Sequence, residues 1–407
     1  MDTRVISIID SIYQQQPLMV TQLQEYCNVN SGTNNLDGLR LMSRALEKDF
    51  GSIADTIVSK KLPSYPNINM LGATVMQHSG AALLITKRPE LSRRILLCGH
   101  MDTVYDISNI FQACTTLNSK RLNGPGVADM KGGLIVMLYA LQAFEKSSAA
   151  PSLGWDVLIN SDEEFGSQAS HELLMQLAQN VSAALIYEPS MDDSGTLVRN
   201  RKGSAKLTII ATGKSAHAGR DFNSGRNAIC YLAEILIQIN KLNQERLDVS
   251  INIGLIHGGE AINIVPETAV AKLDVRINSA ADESWIWQQL ERITQQYKHQ
   301  DYKLTIHGNF GRPAYQPNIA SHKLFKQAQD AGNKLGLDLH WKDSGGFSDG
   351  NNLARTNLPI LDTLGVRGGN LHSHQEYILI DSLPERTALS FLLLQNLALG
   401  GLEQLSA

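Results

Sequence analysis

Near the start of the chain, apolar residues recur at helical spacing: Val5, Ile8, Ile9 and Ile12, then Leu39, Leu41, Met42 and Leu46. A period of this kind predicts helices over 5–27 and 36–49. Short β-rich runs follow at 73–76, 82–86 and 94–98. The stretch 131–144 is apolar at nearly every position, which predicts a helix buried on all sides. The runs 155–160 and 183–187, bounded by turn residues, read as buried strands. Strands alternating with helices predict an α/β sheet covered on both faces.

Between 199 and 311 the pattern changes. A strand at 205–211, a helix at 224–241, strands at 249–256 and 268–277, a helix at 282–297 and a strand at 303–307 spell βαββαβ, the ferredoxin-like split unit. The chain is thus expected to hold a first domain over 1–198, an inserted lid or dimerisation domain over 199–311, and a return to the first domain over 312–407. The returning segment carries helices at 323–335 and 384–399 and a strand at 358–361, with Gly-rich loops at 345–350 and 365–369.

Composition narrows the function classes. With 43% hydrophobic residues over 407 positions there is ample material for a core, which excludes a disordered chain. The 36 Lys+Arg against 40 Asp+Glu leave a net charge of −4, so no basic excess argues for a nucleic-acid partner. Apolar runs fall well short of the ~20 residues that a bilayer span needs. The first residues lack a signal peptide's apolar block, so a soluble, cytoplasmic protein without a membrane partner is expected. Cys27, Cys98, Cys114 and Cys230 are scattered without a CxxC pair and read as small buried residues or free thiols.

The chemistry gathers where predicted strands end. The run 94–98 leads into GHMDTVY, placing His100 and Asp102 where open α/β sheets bind ligands. Alone, that pair is weak evidence, and a satisfied surface histidine is the plainer reading. In GPGVADMKGG, Asp129 precedes the buried helix, as a cap or as a ligand. NSDEEFGS sets Asp162, Glu163 and Glu164 side by side, either as a solvated acidic turn or as a site. Neighbours in extended chain point to opposite sides, so Glu163 and Glu164 can do different jobs. Glu188 closes the run 183–187, and GNLHSHQEY offers His372 or His374, with Glu376 alongside. Oxygen and imidazole donors without cysteine suit one or two divalent metals, zinc being the commonest for hydrolysis. His217, among small residues in GKSAHAG, is either a substrate-facing group or a turn histidine. His78, His171, His257, His299, His307, His322 and His340 read as surface or packing residues.

These motifs, with YEPS, INIVPETAVAKLDVR and GGFSDGN in the same order, resemble the zinc metallopeptidases that include glutamate carboxypeptidases, acetylornithine deacetylase, succinyl-diaminopimelate desuccinylase and aminoacylases. The resemblance runs from SGTNN near residue 31 to the C-terminal helix, and GRPAYQ after the lid makes it nearest to the glutamate carboxypeptidase branch. It implies a mixed-sheet catalytic domain with the inserted lid, dimerisation through that lid, and two divalent ions, zinc first and cobalt or manganese as alternatives. Asp129 would bridge the ions, one held by His100 and Glu188, the other by Glu164 and His372. His372 is chosen over His374 because it precedes Ser in the family's HSxxEY pattern. Asp102 would orient His100, and Glu163 would be the general base. His217 would reach across a dimer to the partner's site, and Asn263 and Arg276 would contact the substrate carboxylate. The implied activity is cleavage of an amide bond in a small substrate with a free carboxylate, carboxypeptidase-like or N-acyl amino acid deacylating. A non-catalytic binding protein on the same fold is the third reading, and it predicts a missing ligand or base. The segment MDDSGTLVRNRKGS departs from what glutamate-cleaving members carry there, and its cations Arg199, Arg201 and Lys202 are expected on a solvated hairpin.

Overall fold

The computed structural model describes residues 2–406. Its larger sheet runs Thr56–Lys60, Ala82–Lys87, Gly154–Asn160, Arg94–His100, Ala184–Ile186, Ile360–Leu361 in spatial order. The four strands from Gly154–Asn160 onward are mutually parallel, and Ala82–Lys87 runs against them. Arg94–His100 and Gly154–Asn160 are buried at every position, which is why they read as continuous apolar runs instead of alternating ones.

Helix Gly133–Glu145 packs against Ser382–Asn396 beside this sheet. It continues a wide, kinked helical turn at Val127–Gly132, and the combined stretch of 19 residues has the length and apolarity of a membrane span, contrary to the sequence expectation. Burial inside the protein of 83% of its most apolar window makes it a core helix.

The second sheet is four-stranded and antiparallel, in the order Ser250–Gly258, Thr268–Ile277, Gly203–Thr212, Lys303–Arg312. Helices Ala228–Lys241 and Ala280–Gln296 pack on one face, started by the side chains of Asn227 and Ser279, and complete the βαββαβ order. Leu207, Ile209, Leu232, Ile235, Leu273 and Ile286 form a core of their own, separate from that of the larger sheet. On the other face, Ile210 and Val270 meet Ile68 of the hairpin Tyr65–Ile68/Thr74–Gln77.

Several sequence expectations are corrected. The helix over 5–27 is two helices, Thr3–Gln14 and Gln16–Cys27, because Pro17 lacks an N–H and fits only a first turn. The strand expected at 303–307 runs on to Arg312, burying Phe310. Part of the Gly-rich loops is regular: Ser348 caps a short helix Asp349–Leu353, and Gly368–Gly369 pairs with Tyr377–Leu379. That pair joins Arg121–Asn123 and Thr115–Asn118 in a small sheet whose strands are too short to show a period. Cys27 and Cys98 are buried, Cys230 is exposed, and all four cysteines are free thiols.

The cationic segment is no solvated hairpin. Leu197–Arg201 pairs in parallel with Trp341–Ser344, and Arg201 is 7% exposed, its Nε donating to Asp362 at 2.6 Å. Asp362, itself buried, also accepts from Ser348 Oγ at 2.7 Å. Only Arg199 is an exposed ion pair, with Asp343. Arg201→Met leaves Asp362 buried without its cation, so we expect a loss of about 3–5 kcal/mol in denaturant unfolding. Adding Asp362→Leu should recover part of that loss.

Candidate metal centre

Three neighbouring parallel strands release the first donors. His100 is the last residue of its strand, Glu163 and Glu164 lie on the turn after Gly154–Asn160, and Glu188 follows Ala184–Ile186 by two residues. Asp129 comes from the loop between Arg121–Asn123 and helix Gly133–Glu145. His372 comes from the turn joining Gly368–Gly369 to Tyr377–Leu379. The small sheet therefore delivers the remaining two donors onto the rim of the large one.

Asp129 divides its carboxylate between two sets. Its Oδ1 lies 3.1 Å from His100 Nε2, and Glu188 Oε1 is 3.7 Å from that same nitrogen. Its Oδ2 lies 3.3 Å from His372 Nε2, with Glu164 Oε2 at 3.5 Å from that imidazole. The donor atoms of His100, Asp129 and Glu164 all lie within 4.8 Å of one another, as do those of His100, Glu163 and Glu188. His374 is outside this cluster, its ring stacked on Phe111.

Burial, reinforced by repulsion from Asp129, pushes the carboxyls of Glu164 and Glu188 well above the usual range. Burial also pushes Asp129 upward, but the two imidazoles outweigh it and hold Asp129 below its ordinary value. Burial pulls His100 down, yet its contacts with Asp102 and Asp129 raise it well above an ordinary histidine. Glu164 Oε1 is buried with no hydrogen-bond partner. Three largely buried carboxylates facing two imidazoles, with an unpartnered carboxylate oxygen among them, fit divalent cations held by oxygen and nitrogen.

The surrounding groups fix these donors. His100 Nδ1 is 3.0 Å from the Asp102 carbonyl and 3.4 Å from its carboxylate. The Asp102 carboxylate accepts the amides of Glu163 and Glu164, both at 3.2 Å, and the Thr33 hydroxyl at 2.9 Å. One buried side chain thus orients both the imidazole and the acidic turn. Asp162 is not a donor to the cluster; its carboxylate accepts the amides of Ala169 and Ser170 and staples the turn.

Two residues in this surround had no role from sequence. Glu376 is fully buried and accepts the amides of Ala128 and Asp129 at 2.8 and 3.0 Å and the Tyr105 hydroxyl at 2.6 Å. Its place in HSHQEY, four residues after His372, was the available signal. Glu376→Ala frees the Asp129 loop, so we expect about 10–100-fold weaker metal retention in chelator competition. Arg312 is the second: Nη2 lies 2.7 Å from Glu163 Oε1. Its place in GRPAYQ was the one signal, and it carried no role because the partner is 149 residues away.

The groups assigned to substrate sit apart. Ala216–His217 pairs with Ile264–Val265, and the Ala218 amide donates to the Asn263 carbonyl at 2.9 Å, so His217 and Asn263 lie side by side at this short two-stranded pairing. His217 is exposed, its Nδ1 accepting the amides of Gly219 and Arg220. Arg276 donates to Asp274 and lies over the Phe347 ring, 4.5 Å from its centroid. Among the described residues, no hydrogen bond or ion pair joins His217, Asn263 or Arg276 to the five donors.

The chain is 26% identical over 391 residues to carboxypeptidase G2 of Pseudomonas sp. (strain RS-16), covering 95% of this chain and 91% of that one. It is 28% identical over 342 residues to the succinyl-diaminopimelate desuccinylase of Psychrobacter arcticus, covering 79% and 83%. In fold it matches human carnosine dipeptidase 1, with TM-score 0.71, 16% identity and coverage of 98% and 99%. It likewise matches the M20 family metallo-carboxypeptidase Sso-CP2 of Sulfolobus solfataricus, with TM-score 0.71, 15% identity and coverage of 98% and 100%. Residues 96–396, which carry all five donors, match the description "Peptidase family M20/M25/M40", and the chain belongs to that family.

Proposed function

We propose that the protein is a dinuclear-metal amidohydrolase acting on a small substrate with a free carboxylate, first as a carboxypeptidase releasing a C-terminal amino acid. The observation that carries this reading is the split of Asp129, one oxygen beside His100 and Glu188, the other beside His372 and Glu164. Zinc is the ion of choice for this donor set, with cobalt or manganese as alternatives. Two such ions supply Lewis acidity towards the scissile carbonyl and lower the pKa of water.

The chain's own residues do the rest. Glu163 accepts a proton from water and returns it to the leaving nitrogen, and burial raises its carboxyl above the ordinary carboxylate range against the opposing pull of Arg312 and His100. Asp102 keeps the His100 imidazole turned towards Asp129. Arg276 offers a planar fork to the substrate carboxylate, with Asn263 beside it. His217, exposed on the lid, serves the site of a partner subunit, where its outward nitrogen steadies developing negative charge on the substrate oxygen. This makes the lid, 199–311, a dimerisation element.

Similarity to a succinyl-diaminopimelate desuccinylase favours a second reading, an N-acyl amino acid deacylase on the same machinery. A panel of N-acyl glutamates, dipeptides and N-acetyl amino acids, each with its carboxylate free or amidated, separates the two. The expected result is turnover confined to free carboxylates, with the best substrate class naming the activity. Indifference to amidation, or no turnover across the panel with metal supplied, would contradict the proposal.

A further inference from the structure

Arg312 and Arg276 occupy one row of the lid sheet. Both are register partners of Ser204, Arg276 on one neighbouring strand and Arg312 on the other. Residues level across a sheet point to the same face, so the two guanidiniums leave the sheet together. Between them lies Phe347, from the loop that leads into the short helix at Asp349: the Arg312 guanidinium is 4.2 Å from its ring centroid and that of Arg276 4.5 Å.

Arg312 then reaches the larger sheet. It is 2% exposed, and its Nη2 donates to the Glu163 carbonyl at 2.5 Å and to Ser167 Oγ at 3.3 Å while lying 2.7 Å from the Glu163 carboxylate. One side chain thus grips both the backbone and the carboxylate of a residue that is 5% exposed. Its other nitrogens, Nε and Nη1, are buried without hydrogen-bond partners. A planar guanidinium fits this dual hold and the ring contact, where the point charge of lysine fits only the ion pair. The contact also sets Glu163 apart from Glu164 and Glu188, whose carboxylates, among the described residues, have an imidazole and no guanidinium at contact distance.

We propose that Arg312 is a positioning residue for Glu163, tying the aim of the general base to the sheet row that carries Arg276. Phe347 is the spacer that keeps the two arginines in register. The proposal rests on Glu163 being the base. Its physical content is that Arg312 never touches substrate and acts through one carboxylate, so its removal costs turnover and leaves substrate affinity and metal content alone.

The test is a double-mutant cycle on the metal-loaded enzyme, with KM, kcat, metal stoichiometry and thermal midpoint measured for each variant. Arg312→Met should lower kcat by about 30-fold or more at unchanged KM, with two ions still bound. Arg312→Lys keeps the charge and should restore part of kcat, which also guards against a Met variant that fails to fold. In a Glu163→Gln background, Arg312→Met should lower kcat no further, because the group it positions is gone. A rise in KM at unchanged kcat would make Arg312 a substrate contact and overturn the proposal. So would losses that multiply across the cycle. If instead Glu163→Gln alone retains its rate, the base assignment fails, and that outcome is distinct from either of these.

Discussion

Glu163→Gln is expected to lower kcat by about 10²–10⁴-fold while the protein keeps its metal and its fold. The substitution preserves shape and removes the proton acceptor. Glu163 is held by the Arg312 contact and by its amide on Asp102, and neither requires the carboxylate to bind an ion. Parallel measurement of metal content and steady-state rate checks this. Loss of metal with the Gln variant would make Glu163 a ligand, a role its distances to His100 and Glu188 also permit. Retention of near wild-type rate would remove it from the chemistry altogether.

Asp129→Ala is expected to be the more damaging change. Both donor sets converge on this one carboxylate, so its removal separates His100 and Glu188 from His372 and Glu164 and leaves neither set complete. Metal retained after gel filtration should fall from two ions towards none. The rate should fall by about 10³-fold or more, since metal-assisted stabilisation of several kcal/mol goes with it. Glu188→Ala, by contrast, should weaken one ion selectively. Titration with a chromogenic chelator resolves the two patterns, and equal loss of both ions in each variant would argue against a division centred on Asp129.

Most of this centre was legible in the sequence because its residues sit where local rules put chemistry. His100, the Glu163–Glu164 pair and Glu188 follow three buried apolar runs, and parallel strands of one sheet bring such endings to one rim. Asp129 and His372 arrive from a different place, a small sheet whose strands of two to four residues show no period. Their motifs announced them, but their route to the rim was invisible. Arg312 stood inside GRPAYQ without a role, since nothing in that motif hints at an acidic partner across the fold. Arg201 failed for the same reason: a cation among cations reads as solvated until Asp362 appears opposite it in three dimensions. The split of the first helix at Gln15 was available, because Pro17 states it directly and the apolar spacing masked it.

The account stands on two ions gripped around one carboxylate, and metal stoichiometry tests that most directly. Protein stripped with chelator, reloaded with zinc and freed of excess should hold two ions per chain by elemental analysis, fewer than one in Asp129→Ala, and two in Glu163→Gln. A wild-type chain that binds no metal, or an Asp129→Ala variant that still holds both ions, would contradict it.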